Sequence, residues 1–212
     1  DGVDEKVKEN FKNVVGKLED MGYKIKDIKL PNCLALYYIT NFAEVSTNLS
    51  RFDGVRYGLH EDGKNLLDDY LKTRRAGLGK ESRRRILLGT YVLSAGYYDA
   101  YYGKAQKARV ALQKQFKDVF SEVDLILTPT SPGPAWKIGD KGVPLSMYLE
   151  DIFTVTANIV GVPAMSLPSG YINMEGKNLP LGIQFMAPHG REDLLFAVGD
   201  KFEKISDKSY NI

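Results

Sequence analysis

An α/β fold is predicted by three features of the sequence. Long stretches place apolar residues at steps of three and four, several short runs are almost wholly apolar, and no repeat, low-complexity tract or linker divides them. Val7, Phe11, Val14, Leu18 and Met21 line one face of an amphipathic helix over 4–21, with Gly22 placed to end it in a left-handed conformation. The apolar series Tyr23, Ile25, Ile28 and Leu30 predicts a strand that Pro31 stops. A second helix is expected from Leu34 to Leu49. Residues 50–63 read as a structured loop, because Asp53-Gly54 and Asp62-Gly63 mark turns. Helical pattern returns at 64–75, breaks at Gly77 and Gly79, and predicts one long helix from Glu81 to Phe120.

The run from Asp124 to Thr128 predicts a strand buried on both faces. Residues 129–146, with Pro129, Pro132, Pro134 and Pro144, form an ordered irregular loop. A helix from Tyr148 to Val160 follows, then strands at Ala164–Leu167 and Leu181–Ala187, and a closing helix over 191–205. At 212 residues the whole of 1–212 is expected to be one domain or part of one.

Composition narrows the function classes. The chain has 29 Lys and Arg against 27 Asp and Glu, a net charge of +2 with no global bias toward nucleic acid or lipid. One cysteine, Cys33, excludes a disulfide framework within the chain, and only two histidines beside it argue against a Cys/His zinc site. No apolar run approaches the roughly 20 residues that cross a bilayer. The opening Asp1-Gly2-Val3-Asp4 carries no signal-peptide pattern, so a cytoplasmic, reduced protein is expected. The lack of an initiator Met predicts a fragment of a longer chain.

Local chemistry offers parts of a polar pocket. Residues 72–85 hold seven basic side chains against one acid, Glu81, and most of them read as a solvated face. Arg83, Arg84 and Arg85 are different, because three cations in the first turn of a helix oppose its macrodipole and call for compensation. Arg85 abuts Ile86, Leu87 and Leu88, and a partly buried arginine is suited to bidentate carboxylate binding. Tyr91, Ala95, Tyr98 and Tyr102 form an i, i+4, i+7, i+11 stripe, which predicts core packing; with no cation among residues 90–102 they make a poor base-stacking platform. Glu150 and Asp151 open a helix, where either acid fits a stabilising N-terminal charge. Cys33 with His60 or His189 is the one conceivable Cys–His pair, and a buried inert thiol is the simpler reading. No nucleophile elbow, P-loop or dinucleotide fingerprint is present, and no reaction centre emerges from the residues alone.

Four stretches carry a resemblance: Tyr37 to Gly58 (YYITNFAEVSTNLSRFDGVRYG), Arg84 to Tyr102 (RRILLGTYVLSAGYYDAYY), Asn158 to Gly170 (NIVGVPAMSLPSG) and Leu179 to Gln184 (LPLGIQ). The sequence resembles the A-subunit family of the glutamyl-tRNA(Gln) amidotransferases, within the amidase signature family, over about residues 1–206. The first two stretches are specific to the amidotransferase family and the last two are shared by amidases generally. Val160 to Met165 departs slightly from the family's usual wording, in a way that touches packing.

The resemblance implies the C-terminal half of the amidase signature fold, a mixed β-sheet covered by helices. The family's catalytic Lys, cis-Ser and nucleophilic Ser lie in an N-terminal half that these residues do not match, so no catalytic residue is assigned to this chain, and alone it is expected to be inactive. A free glutamine presents a carboxylate and an ammonium. The resemblance implies that Arg85 clamps the first, with Arg83 and Arg84 as alternatives, that Asp151 holds the second, and that Tyr37 lines the pocket. The complete protein is then a glutamine-hydrolysing ligase component, working by acyl transfer to Ser with an oxyanion hole of backbone amides. Its ammonia converts Glu-tRNA(Gln) to Gln-tRNA(Gln) in a heterotrimer with the B and C subunits, with ATP and Mg expected on the B partner and no metal or cofactor on this chain. The alternatives are a stand-alone amidase of another carboxamide and a non-catalytic fragment that binds partner subunits.

Overall fold

The computed structural model describes residues 2–140 and 144–206. In chain order the elements are α1 (Glu5–Asp20), α2 (Leu34–Leu49), α3 (Leu66–Gly77), α4 (Lys80–Leu93), α5 (Lys104–Val119), β1 (Ile126–Pro129), α6 (Pro144–Tyr148), α7 (Val155–Val160), β2 (Ala164–Met174), β3 (Lys177–Met186) and α8 (Glu192–Ile205). They form two compact units, a sheet unit of Asp1–Leu34 with Val110–Ile212 and a helical unit of Ala35–Arg109.

In the sheet unit, α1 starts where the Asp4 carboxylate accepts the Lys6 N–H at 2.8 Å and ends before Gly22, at φ +88°. The described strands make one antiparallel sheet in the order β1-β3-β2. Thr128 and Ser166 flank Gln184 in one row across it, and Leu127 and Met165 flank Phe185 in the next. Val14 and Leu18 of α1, Ile183 and Phe185 of β3, and Val198 and Phe202 of α8 share the core, with Phe185 and Phe202 edge to face at 6.3 Å.

Four expectations need correction here. Residues 23–30 form no strand; their apolar positions step by two, three and two, so no single face is presented to a partner. β1 pairs with β3, and beyond Ile126 its residues are half-buried, so its apolar run is not buried on both faces as expected. The hairpin strands are longer than their apolar cores: a bulge at Pro168/Gly170 interrupts β2, and the Glu175-Gly176 turn, with φ of +52° and +78°, joins it to β3. The helix expected over 148–160 is instead a 3₁₀ turn (Leu149–Asp151), a bend and α7. Thr154 closes that bend, its N–H and hydroxyl both donating to the Asp151 carbonyl, at 3.0 and 3.2 Å. The loop expected over 129–146 falls at 141–143 outside the described residues.

In the helical unit α2 runs as predicted, and α3 is capped by Asn65, whose side chain accepts the Asp68 N–H. The single helix expected over 81–120 is broken. Ser94 turns its hydroxyl onto the Tyr91 carbonyl at 2.7 Å, Gly96 takes φ +86°, and a π-turn (Asp99–Gly103) precedes α5. That break overturns the core reading of the tyrosines. Tyr91, Tyr97 and Tyr101 gather in a solvent-exposed group, Tyr91 and Tyr97 with centroids 4.4 Å apart, while Tyr98 packs on Tyr102 at 5.4 Å. A hydrogen bond with Tyr97, with the neighbouring phenols, pushes the Tyr91 hydroxyl up to about 12.

Candidate functional site

α4 carries the arginines, and the compensation its first turn calls for is Glu81. Arg84 donates from Nη1 to Glu81 Oε2 at 2.5 Å, and Arg85 from Nε to Oε1 at 3.2 Å. Two adjacent guanidiniums thus share one carboxylate, each side chain about one-third exposed, at 33% and 31%. Arg83 is exposed.

The same helix is held against α2 through Gly89. A Cβ there would lie 1.9 Å from the Phe42 carbonyl oxygen, so the backbones touch, and Ser46 and Thr90 hydroxyls pair at 3.1 Å beside the contact. Tyr37 sits on α2, half-buried and edge-on to the buried Tyr38 at 5.1 Å.

Asp151 belongs to the sheet unit, at the end of the 3₁₀ turn, half-buried. Side chains from distant parts of the sequence tie down the segment that bears it. Ser131 donates to the Glu150 carboxylate at 3.2 Å. The buried Gln184 of β3 donates from Nε2 to the Phe153 carbonyl at 3.1 Å and to the Thr128 hydroxyl at 3.2 Å. Beside this segment an open groove of about 410 Å³ is lined by Thr130, Ser131, Trp136, Ser166 and Gly182. The sequence left all five, and Gln184, without a role; a glutamine set between Ile183 and Phe185 in an apolar run was the one available signal.

Cys33 is buried and exchanges a hydrogen bond with Thr156 at 3.0 Å; burial pushes its thiol up, against the pull of that bond. His60 lies 3.2 Å from Asp62 in the helical unit. A raised, buried thiol is a poor nucleophile. In the folded protein Cys33 is expected to react with a thiol reagent at least tenfold more slowly than after denaturation; equal rates would contradict its burial. Among the described residues no three His, Cys, Asp or Glu side chains group as metal ligands, and no helix is long and apolar enough to cross a membrane.

The chain belongs to the amidase family, whose model matches residues 1–196. It is 51% identical over 198 residues to the glutamyl-tRNA(Gln) amidotransferase A subunit of Akkermansia muciniphila, covering 91% of this chain and 42% of that protein. The A subunit of the Pseudomonas aeruginosa amidotransferase is 47% identical over 211 residues, covering 97% and 43%. Among solved structures, the Thermotoga maritima glutamyl-tRNA(Gln) amidotransferase A subunit shares 35% identity with a TM-score of 0.58, over 95% of this chain and 38% of that one. A 6-aminohexanoate cyclic dimer hydrolase, 22% identical with a TM-score of 0.65 over 95% and 42%, shares the fold. The chain thus spans about two-fifths of the length of the curated relatives it matches, and the expected partial amidase fold is borne out.

Proposed function

We propose that this chain is the glutamine-recognition part of the A subunit of a Glu-tRNA(Gln) amidotransferase. The observation that carries the proposal is the 47–51% identity to such subunits over nearly the whole chain. Glutamine enters as a zwitterion. Arg85, or its neighbour Arg84, clamps the α-carboxylate, Asp151 holds the α-ammonium and Tyr37 lines the pocket. The side-chain carboxamide is thereby presented to a serine nucleophile supplied by the remainder of the protein. In the heterotrimer with the B and C subunits, the ammonia released passes to the B subunit, where Glu-tRNA(Gln) is activated with ATP and Mg, all in the cytoplasm. On this reading the 212 residues alone release no ammonia from glutamine.

The test uses the full-length protein with its partner subunits and two glutamine analogues, one lacking the α-ammonium and one lacking the α-carboxylate. Leaving one partner of a buried charge pair unmatched costs about 2–5 kcal/mol, so each analogue is expected to lose about 30-fold or more in kcat/KM. An enzyme that hydrolyses both analogues as readily as glutamine has no zwitterion clamp and is an amidase of a simpler carboxamide. Ammonium salts are expected to replace glutamine as the nitrogen donor for Gln-tRNA(Gln) formation.

A further inference from the structure

We infer that Gln184 is a positioning residue for Asp151. The inference rests on the reading that Asp151 holds the glutamine ammonium, and it assigns to the sheet the task of fixing that carboxylate's place.

Gln184 sits on the central strand of the described sheet and is 4% exposed. An amide buried at such a place costs free energy relative to an apolar side chain of similar length unless it is hydrogen-bonded. Its Nε2 has two N–H groups, and both are used. One donates to Thr128 Oγ1 on β1, the neighbouring strand. The other leaves the sheet and donates to the carbonyl of Phe153, two residues after Asp151.

That carbonyl lies in the bend that Thr154 closes onto the Asp151 carbonyl with both its N–H and its hydroxyl. The bend therefore behaves as a small closed ring of backbone, and Gln184 is its tether to β3. Ser131, two residues beyond β1, supplies a second tether through Glu150. A methionine at 184 would fill the same space and leave the Phe153 carbonyl without this donor. Residues 151–154 would then be free to rotate about the Ser131 tether, and a carboxylate that must meet an ammonium within hydrogen-bond distance loses its place.

The experiment uses the full-length protein with its partner subunits and compares Gln184→Met, Asp151→Asn and the double variant. Losing this donor to the Phe153 carbonyl is expected to raise KM for glutamine about tenfold in Gln184→Met. Turnover at saturating glutamine and amidation driven by ammonium salts are expected to stay at wild-type levels. In the Asp151→Asn background the second substitution is expected to add nothing, since the group it positions is already gone. Gln184→Glu, of the same shape but with an oxygen facing the Phe153 carbonyl, is expected to raise KM at least as far, which keeps the test available if the methionine variant folds poorly.

An unchanged KM in the Gln184 variants, with Asp151→Asn raising it, overturns the inference and leaves the substrate reading standing. Additive effects overturn it as well, because Gln184 then acts independently of Asp151. Equal losses of glutamine- and ammonium-driven amidation in both variants reduce Gln184 to a packing role. If Asp151→Asn leaves KM unchanged, the underlying reading falls and the inference with it.

Discussion

Gly89→Ala is expected to destabilise the protein by about 2 kcal/mol or more, against every expectation from helix propensity. Alanine in a helix interior is favoured over glycine by about 1 kcal/mol. At position 89 that gain is overwhelmed, because the new methyl would sit 1.9 Å from the Phe42 oxygen, 2.6 Å from the Phe42 carbonyl carbon and 2.6 Å from Ser46 Cβ. Two of those atoms are backbone, so no rotamer change relieves the clash and α2 and α4 must separate, an overpacking cost of typically about 1–3 kcal/mol and occasionally more. The Ser46–Thr90 hydroxyl pair beside the contact goes with it. Gly16→Ala is the matched control, since Gly16 lies inside α1 with nothing within 4 Å of its would-be Cβ, and there the substitution is expected to stabilise by up to about 1 kcal/mol. Thermal unfolding of both variants reads the difference. If Gly89→Ala melts with or above the wild type, α2 and α4 do not touch as described. The prediction bears on function too, because Tyr37 rides on α2 and Arg85 stands four residues before Gly89 on α4.

Such close approaches are where sequence and structure part company. Periodicity reports how one element buries one face, and it served well for α1, α2 and α8, whose limits agree with their apolar patterns to within a residue or two. It carries no information about a helix that stops for local reasons. Ser94 and Gly96 ended α4 because a side-chain hydroxyl and a left-handed glycine compete with the next helical bond, while the tyrosines around them kept the apolar count high. The same blindness hid the outer half of the β2–β3 hairpin, where Pro168, Ser169 and Gly170 interrupt the apolar run but a bulge lets pairing continue.

The candidate site was legible in a different sense. Charge opposition at α4 predicted that something must answer Arg83–Arg85, and Glu81 does so for Arg84 and Arg85, while Arg83 is exposed. The ligand assigned to Arg85 and Asp151 came from the resemblance, since neither periodicity nor charge count joins residues so far apart in the chain. Gln184 and Ser131 were missed because their partners, Phe153 and Glu150, meet them only through the folded sheet.

Arg85→Ala in the full-length enzyme is expected to raise KM for glutamine about 30-fold or more, with ammonium-driven amidation unchanged. Under the proposed function, their contacts give the three arginines different expected weights. Arg85 meets Glu81 through Nε alone, at 3.2 Å, and its two terminal nitrogens have no partner among the described residues, so an end-on fork remains for a substrate carboxylate. Arg84 commits Nη1 to Glu81 at 2.5 Å and so breaks the corresponding fork. Arg83 is exposed, and an exposed cation contributes about 0–1 kcal/mol to a pair. Arg84→Ala is therefore expected to raise KM less than Arg85→Ala, and Arg83→Ala less than about fivefold. Arg85→Lys keeps the charge but not the planar fork, and most of the loss is expected to persist. A large effect at Arg84 with none at Arg85 would move the clamp by one residue. No effect at any of the three would remove the carboxylate clamp from this helix, because no other residue of α4 can supply a guanidinium.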